Sequence, residues 1–165
     1  MVIKEYDRLK AVEYAKKWAL KRNPMYFDFN DLGGDCTNYA SQCLYAGSGV
    51  MNFTPTFGWY YINAEERTAS WTGVEYFYNF LVGNVKGNGP FGREIDLDEV
   101  KIGDFVQLGR ATGDFYHTPI VTGFRRGHIL VCAHTYDALD RPLSTYSYDK
   151  IRCIHIEGVR QTDKE

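Results

Sequence analysis

A change in hydrophobic periodicity near Gly89-Pro90 constrains the fold of this chain more than any other feature. Before it, apolar residues recur at three- and four-residue spacings, which are typical of amphipathic helices. After it, apolar and β-branched residues follow period two and predict strands near 104–109, 116–123, 128–134 and 151–156. Helices followed by strands predict an α+β domain, with helices packed on an antiparallel sheet of at least four strands.

The first half of the chain predicts three helices and one long irregular segment. The first helix covers residues 6–22 and ends before Pro24, because a residue that precedes proline avoids the helical conformation. The second helix begins at Cys36, and the third covers residues 74–81. Residues 48–73 show no clear period, and an irregular segment of this length inside a compact domain is often functional.

Composition indicates one ordinary soluble globular domain of 165 residues, since no repeat, linker or low-complexity stretch divides the chain. Nineteen basic and 21 acidic residues give a formal charge of -2, so we expect no nucleic-acid partner. No apolar run approaches the roughly 18–20 residues of a membrane span. The first residues lack the apolar core of a signal peptide, which leaves a cytoplasmic location or export by another route. We expect a monomer.

The four cysteines form no CxxC pair and show no standard zinc spacing, so we expect no metal and no cofactor. Cys36 and Cys43 stand two turns apart on the predicted second helix. A rise of about 10 Å is too long for a disulfide. We expect reduced and mostly buried thiols, while a pairing of Cys132 with Cys153 across strands stays open.

Cys36 is the candidate nucleophile. If Asp35 caps the second helix, Cys36 occupies its first turn, where free backbone N–H groups and the helix dipole favour a thiolate. The same N–H groups can bind a developing oxyanion. The simpler alternative is a small buried side chain at a helix start, and position alone does not exclude it.

A thiol nucleophile needs a base and a group that orients the base. The chain contains four histidines: His117, His128, His134 and His155. A loop of two or four residues near position 125 pairs residue numbers that sum to 251, so that His117 faces His134 about 5 Å away. A three-residue loop would put the two rings on opposite faces. No Asn follows residue 88, so the orienting group must be His134, His128 or a carboxylate such as Asp137, and we favour His134.

The segment at residues 33–47, GGDCTNYASQCLYAG, resembles the signature of the bacterial putative amidase domain family. The resemblance covers nearly the whole chain. It continues at residues 11–15, 70–71, 103–104, 117–123 and 133–135. More distantly, Gly103-Asp104 followed by His117 and His134 is similar to NlpC-type and CHAP-type cell-wall peptidases.

The resemblance implies a papain-like fold, with the nucleophile on a helix and the base on a sheet. It also implies Cys36 as the nucleophile, His117 as the general base and His134 as the orienting group. The activity implied is hydrolysis of an amide or peptide bond through a thioester acyl-enzyme, with bacterial cell-wall peptide as the substrate. The alternative is a catalytically weak relative that binds peptide or glycan.

We expect the substrate cleft to open at the N-terminal end of the Cys36 helix. Its predicted lining combines aromatic rings, mostly from the irregular segment, with a carboxylate beside the nucleophile: Tyr26, Asp35, Phe57, Trp59, Tyr60, Tyr61 and Trp71. Packing in the core is the alternative for these rings. Two charge clusters, one at residues 96–99 and one at Arg125-Arg126, are predicted to be solvated turns.

Overall fold

The computed structural model describes residues 1–162, in which helices precede strands as predicted, except that a short unpredicted strand comes before the first helix. The elements are β1 (Val2–Lys4), α1 (Arg8–Trp18), α2 (Cys36–Ser48), α3 (Ala69–Thr72), α4 (Val74–Gly83), β2 (Gly89–Ile95), β3 (Phe105–Gly109), β4 (Phe115–His117), β5 (Ile120–Arg125), β6 (His128–Ala133), β7 (Ala138–Pro142) and β8 (Lys150–Gln161). The α+β prediction is confirmed, and the three predicted helices correspond to α1, α2 and α4.

The strands form one curled antiparallel sheet with the order β1-β8-β3-β5-β6-β7, and β2 and β4 pair with β8 and β3 outside this path. The predicted strand 116–123 is divided in two at Thr118-Pro119. Proline has no N–H to donate to a ladder, so pairing stops before it and resumes at Ile120. This break matters for the site, because His117 ends β4 there.

Two hydrophobic clusters cover the two faces of the sheet. The first lies between the helices and the sheet, and it contains the fully buried alanines Ala11 and Ala15 of α1. Small residues at these positions let α1 approach α2 closely, and the Tyr39 hydroxyl of α2 donates a hydrogen bond to the Ala15 carbonyl. The second cluster lies on the opposite face and includes Val106 and Leu108 of β3.

The acidic cluster at residues 96–99 forms an exposed 3₁₀ turn, as predicted. The Asp96 carboxylate accepts from the Glu99 backbone, and the Glu99 carboxylate accepts from the Asp96 N–H. This capping box gives the acidic side chains a structural role. Within residues 1–162, no helix combines the length and apolarity needed to cross a membrane.

Candidate active site

Two glycines bring the chain into α2. Gly33 and Gly34 have φ values of +92° and +104°, a region that side chains other than glycine rarely adopt. A Cβ at Gly34 would also lie 3.2 Å from the Thr135 hydroxyl. That hydroxyl accepts a hydrogen bond from the Asp35 N–H at 2.8 Å. The glycine pair therefore lets the start of α2 pack against the loop that follows β6, and Cys36 begins the helix there.

The Cys36 sulfur is buried and surrounded by polar groups. Its Sγ lies 3.7 Å from the Thr37 hydroxyl and 3.8 Å from the Tyr116 carbonyl. Burial raises the pKa of the Cys36 thiol, while hydrogen bonds from the Thr37 side chain and from the backbone N–H groups of Thr118 and Thr37 act in the opposite direction. The net shift is upward, so the resting thiol is protonated near neutral pH.

Asp35 is not the side-chain cap that the sequence predicted. Its carboxylate makes no capping hydrogen bond to α2. One oxygen accepts from the Phe29 N–H and the Asn38 amide, both at 2.9 Å. The other oxygen lies 2.6 Å from Nδ1 of His134. Because these partners occupy the carboxylate, it leaves the first-turn N–H groups of α2 uncapped.

His134 has an acceptor on each side of its ring. Nδ1 faces the Asp35 carboxylate, and Nε2 lies 2.7 Å from the Trp18 carbonyl and 3.3 Å from an Arg22 nitrogen. The two shortest contacts are to oxygen atoms that accept hydrogen bonds. Tyr39 stacks on this ring with a centroid distance of 4.0 Å. His134 therefore connects Asp35, at the start of α2, with Trp18, at the end of α1.

The predicted pairing of His117 with His134 is wrong. The β5–β6 loop has two residues, Arg126-Gly127, both with positive φ, so that Arg125 pairs with His128 and the sum is 253. A bulge between Val121 and Gly123 then reduces the sum to 252. One residue of register moves a side chain to the other face of the sheet, so this register places residues 117 and 134 on opposite faces.

His117 is buried against other partners. It pairs with Leu108 of β3, and its ring centroid lies 5.7 Å from that of Tyr146. Burial and then the positive charge of Arg141 lower the pKa of His117 to about 4, so the ring is neutral near pH 7. Within residues 1–162 its ring makes no hydrogen bond, to Cys36 or to any other group. The Cys36 sulfur nevertheless contacts the backbone on both sides of His117, at Tyr116 and Thr118.

Arg22 ties together the segments around this site, and the sequence reasoning missed it. Its guanidinium donates to both carboxylate oxygens of Asp137 at 2.7 and 3.1 Å. Its Nε lies 3.3 Å from Asp28 and 3.7 Å from Asp35. Asp137, the alternative orienting group, is therefore paired with Arg22. The sequence gives no signal for this role, because the carboxylate that Arg22 binds with two hydrogen bonds, Asp137, is 115 residues away.

The other two histidines lie elsewhere. His128 is exposed at the β5–β6 hairpin. His155 lies 2.9 Å through Nδ1 from the fully buried Asp104, which also accepts from Arg8 and from the backbone N–H groups of Lys101 and Ile156. Asp104 thus joins β8 and α1 to the start of β3, and this gives the Gly103-Asp104 motif a structural role.

Two of the predicted cleft aromatics are core residues. Trp59 and Trp71 are fully buried, so the prediction that they line an open cleft is wrong. The Trp71 indole donates to the Asn38 side chain at 3.0 Å, and the Trp59 indole donates to the Ser41 hydroxyl at 3.1 Å. Both indoles therefore hold α2 in place through its Asn38 and Ser41 side chains. Asn38 also contacts Asp35, so Trp71 is connected to the start of the helix.

The remaining predicted rings form two groups. Tyr26 and Tyr61 are half-buried with centroids 5.1 Å apart, and both pack on Trp71. The Tyr61 hydroxyl accepts from the Phe27 N–H, which fixes the segment that leads to Cys36. Tyr60 packs on Phe53 instead. Phe57 is 86% exposed and borders a cavity beside α4 whose lining includes no residue that contacts the Cys36 sulfur.

All four cysteines are free and buried.

Comparison with known proteins gives one family and two curated relatives. The model of the putative amidase domain matches residues 5–157. "Uncharacterized protein YhbB" of Bacillus subtilis (strain 168) is 38% identical over 138 residues, which cover 81% of this chain and 43% of that protein. "Uncharacterized protein YjcM" of the same strain is 29% identical over 150 residues, covering 85% and 33%. The chain thus spans less than half the length of these relatives. No solved structure matches significantly, so the papain-like fold stays a prediction.

Proposed function

Because the chain belongs to the putative amidase domain family, we propose that it hydrolyses an amide or peptide bond with Cys36 as the nucleophile. The observation that carries the proposal is the set of donors around the sulfur, at the N-terminus of α2. Such donors stabilise a thiolate. Cys153 offers a contrast within the same chain, since burial and then neighbouring carboxylates raise the pKa of its thiol to about 12.

The uncapped start of α2 supplies the oxyanion site in this proposal. The Asp35 carboxylate binds Phe29, Asn38 and His134, and it makes no capping bond to the helix. First-turn N–H groups of α2 are then available to a developing oxyanion, and the helix dipole favours negative charge there. The same end of the helix carries the sulfur, so attack and oxyanion binding would occur side by side.

His117 is the proposed general base. Its neutral ring can accept the thiol proton as the sulfur attacks the carbonyl carbon, and it then delivers that proton to the leaving amine. Water attacks the resulting thioester, with His117 taking a proton from the water and the thiol being restored. The sulfur's contacts on both sides of His117 in the chain support this assignment. The proposal requires the His117 ring to come within hydrogen-bond reach of the sulfur when substrate binds, since catalytic contacts often form or tighten only then.

His134 is proposed as a positioning residue that acts through Asp35. Its ring cannot orient His117 by a hydrogen bond in this register, because both of its nitrogens are occupied by Asp35 and Trp18. By holding the Asp35 carboxylate away from the helix end, His134 keeps the first-turn N–H groups free. His134 therefore influences the oxyanion site indirectly, by positioning Asp35.

The proposed substrate is a peptide of the bacterial cell wall, which follows from the similarity to NlpC-type and CHAP-type peptidases. The test is digestion of purified muropeptides, analysed by mass spectrometry, with wild type, Cys36→Ala and Cys153→Ala. Cys153 is another buried free thiol, so it is a matched control for the loss of a sulfur. We expect cleavage by wild type and Cys153→Ala and none by Cys36→Ala. Cleavage by Cys36→Ala at the wild-type rate would overturn the nucleophile assignment, and wild type that binds muropeptides without cleaving them would favour the binding alternative.

A further inference from the structure

A chain of buried polar side chains runs from the Cys36 sulfur through the molecule to Arg152. The Thr37 hydroxyl lies 3.7 Å from the sulfur and 3.1 Å from the Thr118 hydroxyl. The Gln107 amide donates to the Thr118 hydroxyl at 3.3 Å. Thr37, Thr118 and Gln107 have no exposed surface, and they come from α2, from the β4–β5 junction and from β3. We call Gln107, Thr118 and Thr37 the hydroxyl relay.

Arg152 determines which end of the Gln107 amide faces the hydroxyl relay. It pairs with Gln107 across β3 and β8, and its Nε donates to Gln107 Oε1 at 2.7 Å. A guanidinium has no acceptor, so the atom it contacts must be the oxygen. The amide nitrogen then donates to the Val74 carbonyl at 2.9 Å and to Thr118. Both of these contacts agree with the same assignment.

The direction of the remaining hydrogen bonds follows from this fixed end. Thr118 accepts from the amide, and the Thr37 oxygen is the side-chain acceptor within reach of its own proton. If Thr118 donates to Thr37, the Thr37 proton is directed to the Cys36 sulfur, its other side-chain partner. A hydroxyl has one proton and two acceptor lone pairs, so the reverse order is possible, but it would leave the buried Thr118 proton without this acceptor. Hydrogen bonds in series polarise one another, and a guanidinium at the far end strengthens the effect.

We propose that the hydroxyl relay, oriented by Arg152, directs a hydrogen-bond donor at the Cys36 sulfur and thereby stabilises its thiolate. The inference rests on the proposed function of Cys36 as the nucleophile, and it makes Thr37, Thr118 and Gln107 positioning residues. Arg152 is held in place by both carboxylate oxygens of Glu75 and by the rings of Tyr78 and Phe115 at 3.7 and 3.9 Å. Because the Arg152 guanidinium is held in place, it fixes the orientation of the Gln107 amide. The amide in turn favours one direction for the hydrogen bonds between the two hydroxyls and the sulfur.

Other charged and titratable groups face Cys36 and must be considered beside the hydroxyl relay. Asp35, its chain neighbour, opposes the thiolate, and Nδ1 of His134 lies 2.6 Å from that carboxylate. His117 on β4 is neutral near pH 7 and adds no positive charge. Burial opposes ionisation, and no cation among residues 1–162 is in direct contact with the sulfur, so hydrogen-bond donors are the described groups left to favour the thiolate.

The test measures the rate of iodoacetamide modification of Cys36 against pH, with the Cys36 peptide quantified by mass spectrometry. The rate follows the thiolate fraction and needs no substrate. Thr118→Val removes a hydroxyl that does not touch the sulfur, and we expect the midpoint to rise by about one pH unit. Thr118→Ser keeps the hydroxyl and should keep the wild-type midpoint. Thr122→Val is the matched control, because it removes another buried hydroxyl, one that donates to Asp140.

An unchanged midpoint in Thr118→Val would overturn the relay. If Thr118→Val fails to fold, as judged by circular dichroism, the same comparison is made with Thr37→Val and Thr37→Ser, where the donor contacts the sulfur directly. A midpoint that rises equally in Thr122→Val would also overturn the proposal, since the shift would then reflect general loosening. Failure of the proposed function gives a different result, because the alkylation midpoints are measured whether or not muropeptides are cleaved.

Discussion

Replacing Asp35 by alanine should destabilise the fold severely, because its carboxylate is the point where three segments meet. Asp35 is 1% exposed and accepts from the Phe29 N–H, the Asn38 amide and His134. Its removal leaves three buried groups without their acceptor, each at a cost of about 1–3 kcal/mol. These costs overlap because the groups share one carboxylate. We therefore expect a loss of about 5 kcal/mol of unfolding free energy.

The assay is urea denaturation followed by tryptophan fluorescence, with a double-mutant cycle. In Asp35→Ala, His134 loses its partner, whereas the variant Asp35→Ala with His134→Ala removes both sides of this contact. The double variant should therefore lose less free energy than the two single losses added together, by about 2 kcal/mol or more. Asp28→Ala is the matched control, because Asp28 is a more exposed carboxylate near Arg22, and its removal should cost at most about 1 kcal/mol. Additive single losses, or a loss below about 1 kcal/mol in Asp35→Ala, would refute a stabilising contact between Asp35 and His134.

Three further predictions follow from single contacts. The kcat/KM of wild type should fall on acidification through about pH 4, because His117 must be neutral to accept a proton and its pKa is lowered to about 4; an acid limb near pH 6.5 would contradict its assignment as the base. Gly34→Ala should cost about 1–3 kcal/mol in thermal unfolding, because of its φ of +104° and the nearby Thr135, whereas Gly83→Ala, where the added Cβ meets open space, should be neutral or stabilising. Trp71→Phe should cost about 1–3 kcal/mol in urea denaturation, since Asn38 loses its indole partner; no loss would show that this hydrogen bond is replaced by another.

The helices could be predicted because their signals are local. The apolar stripe of α2 and the start at Cys36 lie within one continuous segment, and the structure places α2 at Cys36–Ser48. Strands without such signals were missed: β2 contains Gly89, Pro90 and Gly92, which are typical of turns rather than of strands. Pairing with β8 holds β2 in place nevertheless, so tertiary contact outweighs local preference.

The site residues show the same division between local and distant information. The position of Cys36 at a helix N-terminus was predicted from its neighbours and is observed. The role of Asp35 was not, because its partner His134 is 99 residues away and competes successfully with the helix end. The buried tryptophans were misassigned for a related reason. Aromatic composition does not reveal that Asn38 and Ser41, on the inner side of α2, offer acceptors to both indoles.

The hairpin register explains why the two histidines have different surroundings. Arg126 and Gly127 both adopt positive φ, which moves the two-residue loop one position beyond Arg125-Arg126. The bulge between Val121 and Gly123 then restores half of that displacement and leaves a net slip of one residue. A register shift of an odd number of residues puts the side chains of His117 and His134 on opposite faces of the sheet. His134 is thereby free to hold Asp35 on the helix side, while His117 stays neutral among buried residues on the other side. If the relay proposal holds, the Cys36 thiolate depends on donors rather than on a neighbouring imidazolium, and substitutions in the hydroxyl relay should shift its ionisation more than substitutions of His117 do.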